Sequence, residues 1–141
     1  MFKFLELHKK YFVYMPLIFY WLLILTLTSL PGYDMPDVKI NDKIEHFLAF
    51  GGLGFLLYLS LRIQDKFHLF KKLPWLFTFL FVALYAAFDE LHQLFIPGRS
   101  CDINDWIADI IGVNIGIAIM ALLFFMFGKK KPDLIKGNEK V

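Results

Sequence analysis

The stretch Tyr11–Leu30, YFVYMPLIFYWLLILTLTSL, carries no charged side chain. A helix of about 20 residues at about 1.5 Å rise per residue matches the roughly 30 Å hydrocarbon core of a bilayer. No other feature limits the fold as tightly. Inside a membrane every backbone N–H and C=O must be paired within the protein, which leaves helices or closed barrels. The stretch is too long for the apolar core of a secretory signal, and TSLPG lacks a small-x-small cleavage pattern. It therefore reads as a retained membrane helix, with Pro16 near its start, where a missing N–H is least harmful.

Three further apolar stretches follow, at Ile44–Leu61, Leu73–Ile96 and Ile103–Phe127. The composition agrees: 58% of the 141 residues are hydrophobic, against about 45–50% in soluble domains. The predicted fold class is all-α, a polytopic membrane protein built as a four-transmembrane-helix bundle. One domain covers residues 1–128, followed by a basic tail over 129–141 that reads as disordered. A soluble helical bundle is the structural alternative, and the alternating charge of the connections argues against it.

Basic residues flank the stretches unevenly. Lys3, Lys9 and Lys10 precede the first; Arg62, Lys66, Lys71 and Lys72 separate the second from the third; KKKPDLIK follows the fourth. The first-to-second connection is acidic on balance and the third-to-fourth has only Arg99. The positive-inside rule then puts both termini and the middle loop in the cytoplasm. The chain reads as a multi-pass protein of the cytoplasmic (inner) membrane, with membrane lipids as its immediate partners. A formal charge of +2 suggests no nucleic-acid partner. Cys101 is the one cysteine, so no intramolecular disulfide forms, and it reads as a filler in a tight loop.

This threading gathers the ionisable helix ends on the outer side. The segment FDELHQLFIPGRSCDINDWIAD, Phe88–Asp109, holds most of them. Helical spacing pairs Asp42 with His46, Asp89 with Gln93, and Asp105 with Asp109, each four apart. Ala108, Gly112 and Gly116 form a small-residue stripe for close helix packing, so Asp109 is expected to point into the bundle. Asn114 lies off that stripe and is expected to bond a neighbouring helix. A charge at the bilayer centre costs on the order of 2.5–3.5 kcal/mol, which makes Asp89, Glu90 and Asp109 informative. Asp42 and Asp102 are expected in water, and His8, His68 and His92 at interfaces or in solvent. Asp89 and Glu90 sit about 100° apart on a helix, so one is expected to face a pocket while the other reaches solvent. Gly98 after Pro97 makes a turn that aims Arg99 back over the helix ends, to pair with a carboxylate or to hold a phosphate. Bland readings stand beside these: Lys43 as a snorkelling side chain, His46 as a polar cap, Asp105 as a first-turn acid favoured by the helix dipole. No phosphate-cradling, serine-elbow or zinc-helix motif occurs.

The blocks DKIEHFLAFGGLG, DELHQLFIPGRS and DWIADIIGVNIG, in this order, resemble the VanZ-like family of small bacterial membrane proteins, from Lys39 to Gly116. The family pattern falls on Asp42, Lys43 and His46, then on Asp89, Glu90, Gln93, Pro97, Gly98 and Arg99, then on Asp105, Gly112 and Gly116. Where the pattern has an asparagine, this chain has Asp109, which adds a carboxylate. The resemblance implies a place in the cell envelope and a link to resistance against the glycopeptide teicoplanin, not a mechanism.

The leading expectation is an outward-facing site that binds or processes an anionic, lipid-like or cell-envelope molecule. In a catalytic form Glu90 or Asp89 serves as general acid/base and His46 relays a proton or binds metal. Lys43, Gln93 and Arg99 bind substrate. A divalent ion is a geometric option, with Asp89, Glu90, Asp105 and Asp109 as ligands alongside His46. Two other readings stand: a non-enzymatic protein that reorganises envelope lipids, and an acidic cluster that only fixes helix register.

Overall fold

A computed structural model describes residues 2–34 and 42–128. The expected tail over 129–141 and the connecting residues 35–41 lie outside the described residues. The elements are α1 (Phe2–Leu7), a π-helical turn (Lys10–Tyr14), α2 (Met15–Thr28), a 3₁₀ turn (Gly32–Asp34), α3 (Asp42–Ile63), α4 (His68–Lys72), α5 (Pro74–Gln93) and α6 (Ile103–Phe127). There is no strand among the described residues, and four helical segments are long and apolar enough to cross a membrane: Lys10–Thr28, α3, α5 and α6. The molecule is a multi-pass, all-helical membrane protein.

Local chemistry explains the ends. Pro16 cannot donate to a carbonyl one turn back, and the chain absorbs this by widening: the Met15 N–H bonds Lys10 O, five residues behind. Pro74 opens α5, where its N–H would have had no partner. Asp102 caps α6, its carboxylate accepting from the Asn104 N–H at 2.8 Å. Relative to the expected stretches, α3 begins at Asp42, taking Lys43 into its first turn, and α5 stops at Gln93, because the chain turns through His92–Arg99 before the cap. The short helices α1 and α4 were not expected.

The surface and the interior reverse the usual pattern. Phe19, Leu84 and Phe125 are exposed toward lipid, while Thr78, Asp89 and Asp109 are among the most buried residues. The most extensive packing joins α3 to α6. Its cause is the glycine stripe: a Cβ on Gly112 would overlap the carbonyl of Phe47, and one on Gly116 that of Gly51. Two apolar clusters continue the interface, one around Phe50, Leu53, Val82 and Val113, the other around Val13, Tyr58, Ile63 and Met120.

The two ends of the bundle differ. At one, Phe2 stacks on Phe124 at 3.9 Å, and Asp65 pairs with Lys9 and, at 2.9 Å, with Lys71. The Lys9 and Lys71 ammonium groups hold the Asp65 carboxyl down at about 2. At the other, two Pro-Gly turns clasp: the Gly32 N–H donates to Pro97 O at 3.0 Å, and Gly98 sits at φ 75°, a conformation L side chains rarely adopt. The second of these ends carries the ionisable helix termini.

Adding one methyl to the stripe tests the packing. Gly116→Ala is expected to destabilise by about 1–3 kcal/mol through overpacking against Gly51, read as a thermal midpoint several degrees lower in detergent. Ala118→Val, on the exposed face of α6, is expected to leave it unchanged. Equal midpoints for the two variants would contradict the close α3–α6 approach.

Candidate functional site

Three helices deliver the cluster. His46 stands one turn into α3, Asp89 and Glu90 near the end of α5, and Asp105 and Asp109 in the first two turns of α6. Because the stripe carries α6 against α3, Asp109 meets His46 directly: Nδ1 lies 3.0 Å from Asp109 Oδ1. Glu90 Oε1 approaches the same nitrogen at 3.8 Å. His46 is 6%, Glu90 4% and Asp109 0% exposed, so all three are essentially out of solvent. The imidazole also stacks on Phe50, nearly coplanar at 6.3 Å, which fixes its plane.

The remaining groups are paired off in different ways. Lys43 Nζ bridges Asp105 Oδ1 at 3.0 Å and Asp102 Oδ2 at 3.1 Å, tying α3 to the start of α6. Asp89 accepts from the Thr28 hydroxyl at 2.7 Å and from the Gln93 amide at 3.2 Å. Both its oxygens are therefore satisfied, and it pins α2 to α5. Glu90 Oε2 accepts from the Asp102 N–H at 3.0 Å. Glu90 Oε1 and Asp109 Oδ2 are buried without a hydrogen-bond partner. A buried oxygen left so costs on the order of 1–3 kcal/mol, more when charged.

Several expectations are corrected. Asp89 and Glu90 do not divide between pocket and solvent; both are buried, since the turn after Gln93 and the start of α6 cover the α5 end. Arg99 pairs with no carboxylate among the described residues. Its guanidinium reaches back as expected, and Nη2 and Nε donate to the carbonyls of Leu27 and Leu30, at 3.3 and 3.5 Å, capping the end of α2. Asn114 does not bond a neighbouring helix: it is exposed, and its amide donates to Ile110 O at 2.7 Å within α6. The physical reason is its position, two residues from Gly112 and from Gly116 and so on the far face. His92 is half-buried, its Nε2 3.2 Å from the Ser29 hydroxyl.

Two participants escaped the sequence reading. Asp102 joins Glu90, Lys43 and Asn104, and the hydrogen bond from Asn104 N–H, with Lys43 beside it, holds its carboxyl below the ordinary range. Its signal was legible as an N-cap acid just before an apolar run. Thr28 could have been found as a hydroxyl at the depth of Asp89.

A cavity of about 270 Å³ opens beside this cluster, between α2 and α3. Its inner wall is Ile24, Leu27, Ala49 and Phe50; its polar side is Thr28, Asp42, Glu45, His46 and Arg99. A second cavity, about 370 Å³, lies farther along α2 and is lined by apolar and aromatic side chains, among them Leu17, Trp21, Leu57 and Tyr85. Both exist because α2 packs loosely: only 11% of the first span is buried, against 44% of α3.

Among known proteins, no curated sequence and no solved structure matches the chain. A family model described as VanZ/LLP1 matches residues 3–125, nearly all of it.

Proposed function

The chain belongs to the VanZ/LLP1 family, and from that premise we propose that it binds an anionic, lipid-like molecule of the cell envelope in the cleft between α2 and α3. The observation that carries this reading is the amphipathic cavity. Ile24, Leu27, Ala49 and Phe50 suit an acyl or prenyl chain; on the polar side Arg99 and His46 can donate to a phosphate or carboxylate, with the acids Asp42 and Glu45 lining the same side. The apolar cavity along the same helix offers room for more chain. Processing, where it occurs, falls to Glu90, whose free buried oxygen is the acid–base candidate. Glu90→Gln keeps the shape and separates the two: ligand retained but unaltered assigns processing to Glu90. A site that takes up an envelope lipid is also where tolerance to a glycopeptide such as teicoplanin would originate.

The structural alternative draws on Lys43 with Asp102 and Asp105, and on Asp89 with Thr28 and Gln93. These contacts fix helix register. They leave the cavity between α2 and α3 without a role, so binding is the preferred function.

The test is native-lipid mass spectrometry on the full chain. An anionic lipid enriched over the surrounding membrane is expected with the wild-type protein. Arg99→Ala is expected to reduce it about tenfold, the scale of one charged hydrogen bond, and Ala49→Trp, which fills the cavity, to abolish it. No enrichment, or equal enrichment in both variants, would contradict the reading.

We further propose that the clustered end faces outward, since the opposite end carries Lys9, Arg62, Lys66 and Lys71. Cys101, exposed and the lone cysteine, reports this directly. Desolvation, and then Glu90 nearby, raise its thiol above the ordinary value, so the thiolate fraction grows as pH rises through the alkaline range. A membrane-impermeant thiol reagent is expected to label intact cells, faster at pH 9 than at pH 7, and not to label Cys101→Ser. Labelling only after lysis would reverse the orientation.

A further inference from the structure

We propose that His46, Glu90 and Asp109 form a binding site for a divalent transition-metal cation of the Mn²⁺ or Zn²⁺ class. The site shares His46 and Glu90 with the lipid reading, and its test uses the metal alone, so either can fail without the other. One ligand atom from each residue falls within 4.8 Å of the other two, and all three residues are buried. Bonds of about 2.0–2.2 Å to nitrogen and oxygen ligands put neighbouring ligand atoms about 3–3.5 Å apart. The observed separations from His46 Nδ1, 3.0 Å to Asp109 Oδ1 and 3.8 Å to Glu90 Oε1, are close to that spacing, and a cation would displace the proton of the His46–Asp109 hydrogen bond.

A second observation points to a ligand. Glu90 Oε1 and Asp109 Oδ2 are buried without hydrogen-bond partners, and Glu90 Oε1 is turned toward the imidazole. The neighbouring acids show that such oxygens are otherwise satisfied here: Asp89 has Thr28 and Gln93, and Asp102 has Asn104 and Lys43. As metal ligands the two carboxylates would be ionised and the imidazole neutral, a charge of minus two that a divalent ion would balance. The imidazole suits Zn²⁺ and the two carboxylates suit Mn²⁺. The ligands come from three helices held by backbone packing, and Phe50 stacked on the ring with the Asp102 N–H on Glu90 Oε2 orients two of them.

A second set, Asp42, His46 and Asp105, shares the histidine. It is the weaker candidate, because Asp42 is exposed and Asp105 is already paired with Lys43.

The test uses the full chain in detergent, freed of any affinity tag and stripped with EDTA, then titrated calorimetrically with MnCl₂ and with ZnCl₂. One equivalent per chain is expected, with a rise in thermal midpoint. Glu90→Gln and Asp109→Asn are each expected to weaken binding at least tenfold, while His68→Gln, in α4 outside the cluster, leaves it unchanged. Electron spin-echo modulation of bound Mn²⁺ is expected to show one nitrogen ligand that is lost in His46→Gln. If Asp109→Asn fails to fold, Glu90→Gln decides. Absence of stoichiometric binding, unchanged affinity in Glu90→Gln, or loss in Asp42→Asn with Glu90→Gln intact would each overturn the assignment.

Discussion

The backbone approach of α3 to α6 is the constraint on which the rest depends. Gly51, Gly112 and Gly116 remove the side chains that would hold two helices apart, and Gly51 would put a Cβ only 3.2 Å from Gly112 O. In lipid there is little hydrophobic gain from pairing two apolar helices, so close van der Waals contact has to supply the attraction. One turn beyond Gly112 toward the site end is Asp109, and one turn beyond Phe50 is His46. Their meeting is a consequence of the stripe, with no separate cause.

From that meeting follows a hierarchy among acids that look alike in sequence. Asp89 has partners on both oxygens and acts as a tie between α2 and α5. Asp105 and Asp102 share Lys43 and secure α3 to the start of α6. Glu90 and Asp109 are each half satisfied. The costs of burying charge are met by pairing at the periphery of the cluster and left open at its centre, and that centre borders the α2–α3 cavity through His46. Loose packing of α2, clasped mainly by Thr28, the Pro-Gly turns and Arg99, gives the cleft its width.

Much of this was legible from hydropathy and spacing alone. The bounds of α6 and the inward direction of Asp109 follow from a long, mostly apolar stretch and a small-residue period of four. What was not legible depends on tertiary placement. The helix Phe2–Leu7 holds Phe2 against Phe124, a residue more than a hundred positions away. The destination of Arg99 is a pair of main-chain carbonyls, which no side-chain pattern announces. Asn114 shows that a polar residue deep in a membrane helix can satisfy itself on its own backbone. Asp102 reads as solvated from its loop position, yet a capping acid beside a lysine has neighbours. The ionisable positions carried by the family resemblance fall together at one end of the bundle; their chemical roles are a separate question from their location.

The most direct test is an experimental density map of the full chain in a lipid nanodisc or crystal, soaked with Mn²⁺ and measured at the manganese absorption edge. One anomalous peak is expected at about 2.2 Å from the nearest atoms of His46, Glu90 and Asp109, with Gly116 packed on Gly51. A map in which His46 and Asp109 are apart, or in which the peak lies away from these three residues, would contradict the assignment.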